Sequence, residues 1–306
     1  MARLTRPQFQ QLGIIGCGLI GGSFALAMKR AGLVKRVVGY SKSPSTTELA
    51  KKMGVIDVAA ESALLAVSGS DIVLIAVPVA ATEATLRAIR HLVAPGVLFM
   101  DVGSTKADVA LAAQRVLGDL AANFVPVHPI AGKEHSGVQH ADALLFQGKQ
   151  VVLTPLPDND HALVQRAAAT WAALGCKVLR MTPENHDAAY AAVSHLPHLL
   201  AFAYMQGIMR QPSGREYMEL AGSGFRDFTR IAGSDPAIWR DILLANREEV
   251  LHQAQRFRMS LDRLEGLLQT QDAPALEALL KPISATRNTW TPVFTNVDDG
   301  EPSSKF

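Results

Sequence analysis

Cysteine is scarce. Two residues, Cys17 and Cys176, in a chain of 306 rule out a disulfide framework and point to reduced thiols. No charge sign is in excess: 30 Lys and Arg stand against 28 Asp and Glu, for a net +2. No global field therefore draws the chain to nucleic acid or to an anionic membrane, although a local basic site for phosphate or carboxylate stays open. No uninterrupted apolar run is long enough to span a bilayer, and the polar start, Met1 to Gln11, holds no apolar stretch of signal-peptide length. A soluble cytoplasmic protein is expected, with neither nucleic acid nor membrane as partner. There is no internal repeat, no H-E-x-x-H and no cysteine cluster, so no metal site is expected. The remainder, 48% hydrophobic and 19% charged, is ordinary globular composition with enough chain for two domains.

The first half alternates strands and helices. Leu12 to Gly16 is an apolar run ending in glycine, followed by a glycine turn and by Phe24 to Met28, which has helical character. Arg36 to Tyr40, Asp71 to Val77 and Val97 to Asp101 read as further strands. Thr47 to Met53 and Thr82 to His91 read as helices. That order implies a Rossmann-type parallel sheet with right-handed crossovers. Phe124 to Val127, Gln150 to Leu153 and Lys177 to Arg180 continue the strands, and His161 to Leu174 the helices. After Met181 the strand signal fades. Thr182-Pro183-Glu184 is a helix start, and long helical patterns follow, including Asn246 to Leu268. The expected division is an α/β domain over 1–181 and an all-α domain over 182–306, with a polar, fraying tail from Asn296.

Gly16, Gly18 and Gly21 form G-x-G-x-x-G, running through Leu19 and Ile20, between a strand and a helix. The first glycine allows the tight turn, the second lets a pyrophosphate approach the backbone, and the third lets helix and strand pack closely. An acid at the end of the second strand would hold the ribose 2′-hydroxyl of NAD. Here Tyr40-Ser41-Lys42-Ser43 stands instead, so a 2′-phosphate meets a hydroxyl and a cation. NADP is the expected cofactor, with NAD as the alternative if a nearby acid takes the role. Val77 and Pro78 follow the fourth strand and Ser104 the fifth, at carboxyl ends that line the ligand crevice. Ser104 reads equally as a helix N-cap or as a group beside the nicotinamide.

Three polar constellations follow. His128 ends an apolar strand ahead of Pro129, and Lys133 and Glu134 lie in the same loop. A neutral histidine beside a nicotinamide site can take a hydroxyl proton as a hydride leaves. Alone, such a histidine is more often structural than catalytic, and Glu134 is better explained as an exposed loop carboxylate. His186, Tyr190, Ser194 and His198 recur every four residues, one stripe on a helix flanked by alanines, with Pro197 expected to kink it. The stripe is either a buried site wall or a set of bonded core residues. Arg226 and Arg230 share a helical face, with Asp227 in reach of Arg230. A guanidinium fork suits a carboxylate substrate, unless these are surface ion pairs. Ser234-Asp235-Pro236 caps a further helix carrying Trp239.

Taken together, Gly16 to Ser23, His128-Pro129-Ile130-Ala131-Gly132-Lys133-Glu134, Ser194-His195-Leu196-Pro197-His198 and Phe225 to Ala232 with Trp239 resemble the prephenate and arogenate dehydrogenases of tyrosine biosynthesis. The resemblance implies that His128 is the catalytic histidine and Ser104 its assistant. It implies that Arg230 binds the ring carboxylate and that Ser194 and His198 line the cleft, with His198 near the substrate side chain. Glu134 takes a gating role, His186 a cleft or cofactor-side one, and the helical domain forms a homodimer. Ser41 departs from the acid of NAD-dependent members. Neither a chorismate mutase domain ahead of Leu12 nor a regulatory domain after the helices is expected. One rival, another two-domain hydroxy-acid dehydrogenase, relies on a lysine in the helical domain, and none lies between Lys177 and Lys281. The other is a non-enzymatic NADP sensor, which needs no base in the cleft.

Overall fold

The computed structural model of the protein describes residues 8–133 and 135–291. It opens with β1 (Phe9–Ile15), a glycine turn and α1 (Leu19–Arg30). Then come β2 (Val34–Tyr40), α2 (Pro44–Lys52), a two-residue β3 (Val58–Ala59) and α3 (Ala63–Val67). β4 (Ile72–Ile75), α4 (Thr82–Ile89), β5 (Leu98–Asp101), α5 (Ala107–Leu117) and β6 (Phe124–Val125) complete the run. The six strands make one parallel sheet in the order β3-β2-β1-β4-β5-β6. All of β4 and β5 is buried, which is why both read as apolar runs without alternation. Ile72 and Leu74 pack into one apolar cluster with Phe24 and Trp171, while Val73 and Ile75 pack into the other with Leu86 and Phe99. The period of two sends successive residues to opposite faces. Strand order reverses between β1 and β4, and ligands bind at the carboxyl ends beside such a reversal.

The next strands correct the expected single strand over Phe124 to Val127. The chain leaves the sheet at Pro126, which has no N–H to give to a ladder. β7 (Val127–Pro129) then starts a second sheet, antiparallel to β8 (Gln150–Leu153), which runs parallel to β9 (Lys177–Arg180). α6 (His161–Ala173) links β8 to β9. A buried ion pair makes this change of sheet: the Lys106 ammonium lies on the Asp101 carboxylate, and both side chains are buried. Lys106 Nζ also donates to the Val127 carbonyl at 3.0 Å, and Asp101 Oδ1 accepts the Val127 N–H at 3.1 Å. The pair thus takes up the Val127 N–H and carbonyl while β7 pairs with β8, and fixes where His128 starts.

Beyond Arg180 no strand occurs among the described residues. α7 (Pro183–Tyr190) starts on Thr182, whose hydroxyl accepts the Asn185 N–H, with Pro183 in the first turn. A π-helical turn, Ala191–His195, joins it to α8 (Leu196–Met209). α9 (Gly214–Glu219) and α10 (Ser223–Thr229) lead to α11 (Pro236–Ala245), capped by Asp235, which accepts from Ala237 N and Ile238 N. α12 (Arg247–Gln269) and α13 (Ala273–Thr289) follow. α12 has one buried residue, Val250, and α13 none, while Leu251, Met259, Leu268 and Ile283 are exposed. Apolar surface on this scale is of the kind a second chain covers. No helix among the described residues is long and apolar enough to cross a membrane. The tail expected to fray from Asn296 lies outside the described residues.

Lys106→Met leaves the Asp101 charge buried without its counter-ion. Its expected cost is about 3–5 kcal/mol of unfolding free energy in a urea titration. A loss below about 1 kcal/mol would show that the pair does not hold β7.

Candidate active site

The glycines of the first turn are held by different means. Gly16 has φ +101°, and a Cβ there would lie 2.3 Å from the Ala76 carbonyl oxygen. A Cβ on Gly21 would lie 2.1 Å from the Gly16 carbonyl oxygen. A Cβ on Gly18 would meet nothing within 4 Å, so packing does not require glycine there. What Gly18 keeps clear is the approach to the first turn of α1, which no side chain caps. Uncapped N–H groups at a helix start are an anion site, and the residues fit a dinucleotide pyrophosphate. At the end of β2, Ser41 Oγ accepts the Cys17 N–H at 2.8 Å, and the Ser41 N–H donates to Thr47 Oγ1 at 2.9 Å. Lys42 beside it is exposed.

A cleft of about 400 Å³ begins at this loop. Gly18, Leu19 and Ile20 line it with Val77 and Pro78 after β4 and Ser104 after β5. Two further walls were not singled out as site residues from sequence: Lys133 to Gly137 without Glu134, and the start of α11 with Ser234, Asp235 and Trp239. Glu134 itself lies outside the described residues. Ser104 Oγ has no hydrogen-bond partner among the described residues. Nor does Ser104 cap α5, the alternative reading for it. The first N–H groups there, Lys106 N and Ala107 N, donate to the Asp187 carboxylate at 2.8 and 2.9 Å.

His128, at the centre of β7, meets His186 and Tyr190. Its Nδ1 lies 2.8 Å from His186 Nε2, and its ring centroid 5.0 Å from that of Tyr190. His186 Nδ1 is 2.7 Å from Asp187 Oδ1. Burial pushes His128 well below the ordinary histidine range, with the charges of His186, Lys106 and His195 adding to it. His186 is lowered as well, first by burial, against the Asp187 hydrogen bond. Burial raises the Tyr190 phenol to about 12, so it holds its proton. A neutral histidine with a free ring nitrogen is a proton acceptor at pH 7.

The stripe expected over His186, Tyr190, Ser194 and His198 does not stay on one face. The π turn places it out of phase after Tyr190. His186 and Tyr190 face His128, whereas His198 stacks on Trp239 with ring centroids 3.4 Å apart. His198 Nδ1 donates to the Ser194 carbonyl at 2.9 Å. Burial lowers His198, and the nearby Arg230 charge lowers it further, which puts Arg230 at this end. Trp239 therefore joins the cleft wall to the His198 and Arg230 region. His195 turns inward, with its Nδ1 3.1 Å from Asn246 Nδ2, and burial drops it to about 4.

Residues 24–180 match the family model described as prephenate dehydrogenase, nucleotide-binding domain, and residues 182–282 the one described as prephenate dehydrogenase, dimerization domain. The prephenate dehydrogenase of Bacillus subtilis is 36% identical over 265 residues, 86% of this chain and 71% of that protein. The cyclohexadienyl dehydrogenase of Zymomonas mobilis is 33% identical over 272 residues, 88% and 92% of the two chains. Among solved structures, prephenate dehydrogenase from A. aeolicus in complex with hydroxyphenyl propionate and NAD+ has a TM-score of 0.85 at 33% identity, covering 91% of this chain and 97% of that one.

Gly18→Ala separates ligand approach from packing. Its melting temperature should match the parent, while dinucleotide affinity in a fluorescence titration falls about tenfold or more. Unchanged affinity would place the pyrophosphate elsewhere.

Proposed function

This chain belongs to the prephenate dehydrogenase family, and from its site we propose that it oxidatively decarboxylates prephenate or arogenate in tyrosine biosynthesis, with NADP preferred over NAD. The observation that carries the reading is His128: a histidine held neutral by burial, in a strand tied to the sheet that bears the glycine loop. The bound nicotinamide supplies the hydride acceptor. Gly16, Gly18, Leu19, Ile20 and Gly21 hold the dinucleotide, with Val77 and Pro78 against it. His128 accepts the proton of the secondary ring hydroxyl, and Ser104 orients that hydroxyl from the loop after β5. Arg230 binds the ring carboxylate as a charged fork. His198 and Ser194 sit toward the side-chain end. Loss of carbon dioxide leaves an aromatic ring, which drives the reaction one way.

The preference for NADP rests on the end of β2. The Ser41 hydroxyl and exposed Lys42 stand where an acid would repel a 2′-phosphate. The homodimer rests on the exposed apolar residues of α12 and α13 and on the description of the matching family model as a dimerization domain. We place the division between the two domains at residue 181, between β9 and α7, and the enzyme in the cytoplasm.

Reduced-nicotinamide absorbance, recorded with prephenate and with arogenate, each with NAD and NADP, tests the reading. Turnover is expected, fastest with NADP. No turnover in all four mixtures with NADP still bound would favour the sensor reading. His128→Asn should cut kcat by about 10²–10⁴-fold and leave KM near the parent value. Arg230→Ala should raise KM by roughly tenfold to a hundredfold, the equivalent of about 1.5–3 kcal/mol for a hydrogen-bonded charge. An unchanged KM would take the ring carboxylate away from Arg230.

A further inference from the structure

We infer that His186 and Asp187 are positioning residues that hold His128 as its Nδ1–H tautomer, leaving the lone pair of Nε2 for the substrate hydroxyl. This rests on His128 being the base.

Asp187 Oδ1 receives the Lys106 N–H at 2.8 Å, and Oδ2 the Ala107 N–H at 2.9 Å. A carboxylate engaged by backbone donors on both oxygens has no proton to offer His186, whose Nδ1 lies 2.7 Å from Oδ1. His186 must therefore donate through Nδ1. A neutral imidazole has one N–H, so His186 Nε2 carries a lone pair. The atom facing it at 2.8 Å is His128 Nδ1, which must then be the donor. The reverse assignment would set two lone pairs against each other. One N–H per neutral ring again leaves His128 Nε2 bare.

The chain is built to keep this order. His186 and Asp187 are both buried, where hydrogen bonds are stronger than in water. Asn246 Nδ2 donates to the Asp187 main-chain carbonyl at 2.8 Å, which pins that turn of α7 to the start of α12. During turnover the substrate proton moves from the hydroxyl oxygen to His128 Nε2, and Nδ1 keeps its own. The imidazolium then donates to His186 Nε2 more strongly than before. No proton has to travel along the chain, so Asp187 acts through orientation and charge.

The test uses the whole protein labelled with 15N-histidine, without ligand. Two-bond 1H–15N correlations distinguish a protonated ring nitrogen from a bare one, and His128→Asn assigns the His128 signals by their loss. Expected are a protonated Nδ1 and a bare Nε2 for both His128 and His186. This readout needs no turnover, so it stands or falls apart from the proposed reaction. The kinetic arm is His186→Ala, which frees His128 to take the other tautomer. At least about a tenfold loss of kcat is expected, with KM and NADP affinity within about threefold of the parent. Partial rescue is expected in His186→Gln, whose carbonyl can accept the His128 Nδ1–H. A protonated Nε2 on His128 in the parent, or an undiminished kcat in His186→Ala, overturns the inference.

Discussion

The Asp187 carboxylate is the contact on which the site depends. It lies on α7 in the helical part of the chain, yet it accepts the first N–H groups of α5 in the α/β part. Those groups would otherwise be orphaned donors at a buried helix start. The same carboxylate accepts from His186, and His186 meets His128. One side chain therefore fixes how the helical part docks, where α5 begins and how His128 is held. Hydrogen bonds to a charged acceptor are each worth about 1.5–3 kcal/mol, so three on one carboxylate give a stiff joint. The Asp101 and Lys106 pair does the complementary work from the sheet, by fixing Val127 at the head of β7.

The dinucleotide end obeys a different constraint. There the backbone itself is the binding surface, and side chains must be missing rather than placed. Gly16 and Gly21 are bare because the carbonyl oxygens of Ala76 and Gly16 press against them. Gly18 is bare with open space around it, and the helix behind it has no cap of its own. A ligand phosphate completes that helix start. The cleft then runs from Gly18 past Ser104 to Trp239, whose ring carries His198. The glycine loop and Trp239, on which His198 stacks, are thus two ends of one cleft.

What the sequence made legible followed from local pattern. Unbroken apolar runs marked β4 and β5, and Thr182-Pro183 and Ser234-Asp235-Pro236 marked the helix starts that the structure places there. The change of sheet at Pro126 was less legible, because it depends on a buried ion pair rather than on periodicity. The stripe from His186 to His198 failed for a related reason. Fourfold spacing assumes an α-helix throughout, and the π turn before Pro197 breaks the count. The ties made by Asp187 and Asn246 to other parts of the chain gave no local signal, since those partners lie 51 to 81 residues away. Capping of α5 from another part of the chain cannot be read from the residues just before that helix. Asp187 stood beside a histidine already singled out, which was the only available hint.

In the proposed reaction His128, neutral at working pH, takes the hydroxyl proton. The dependence of kcat/KM on pH in the parent and in His128→Asn tests it most directly. The parent should hold a level value from pH 8 through the ordinary histidine pKa of about 6.5, and lose activity only well below it. The residual rate of His128→Asn should show no such limb. A limb centred near 6.5 in the parent, or one that survives in His128→Asn, would put the base on another residue.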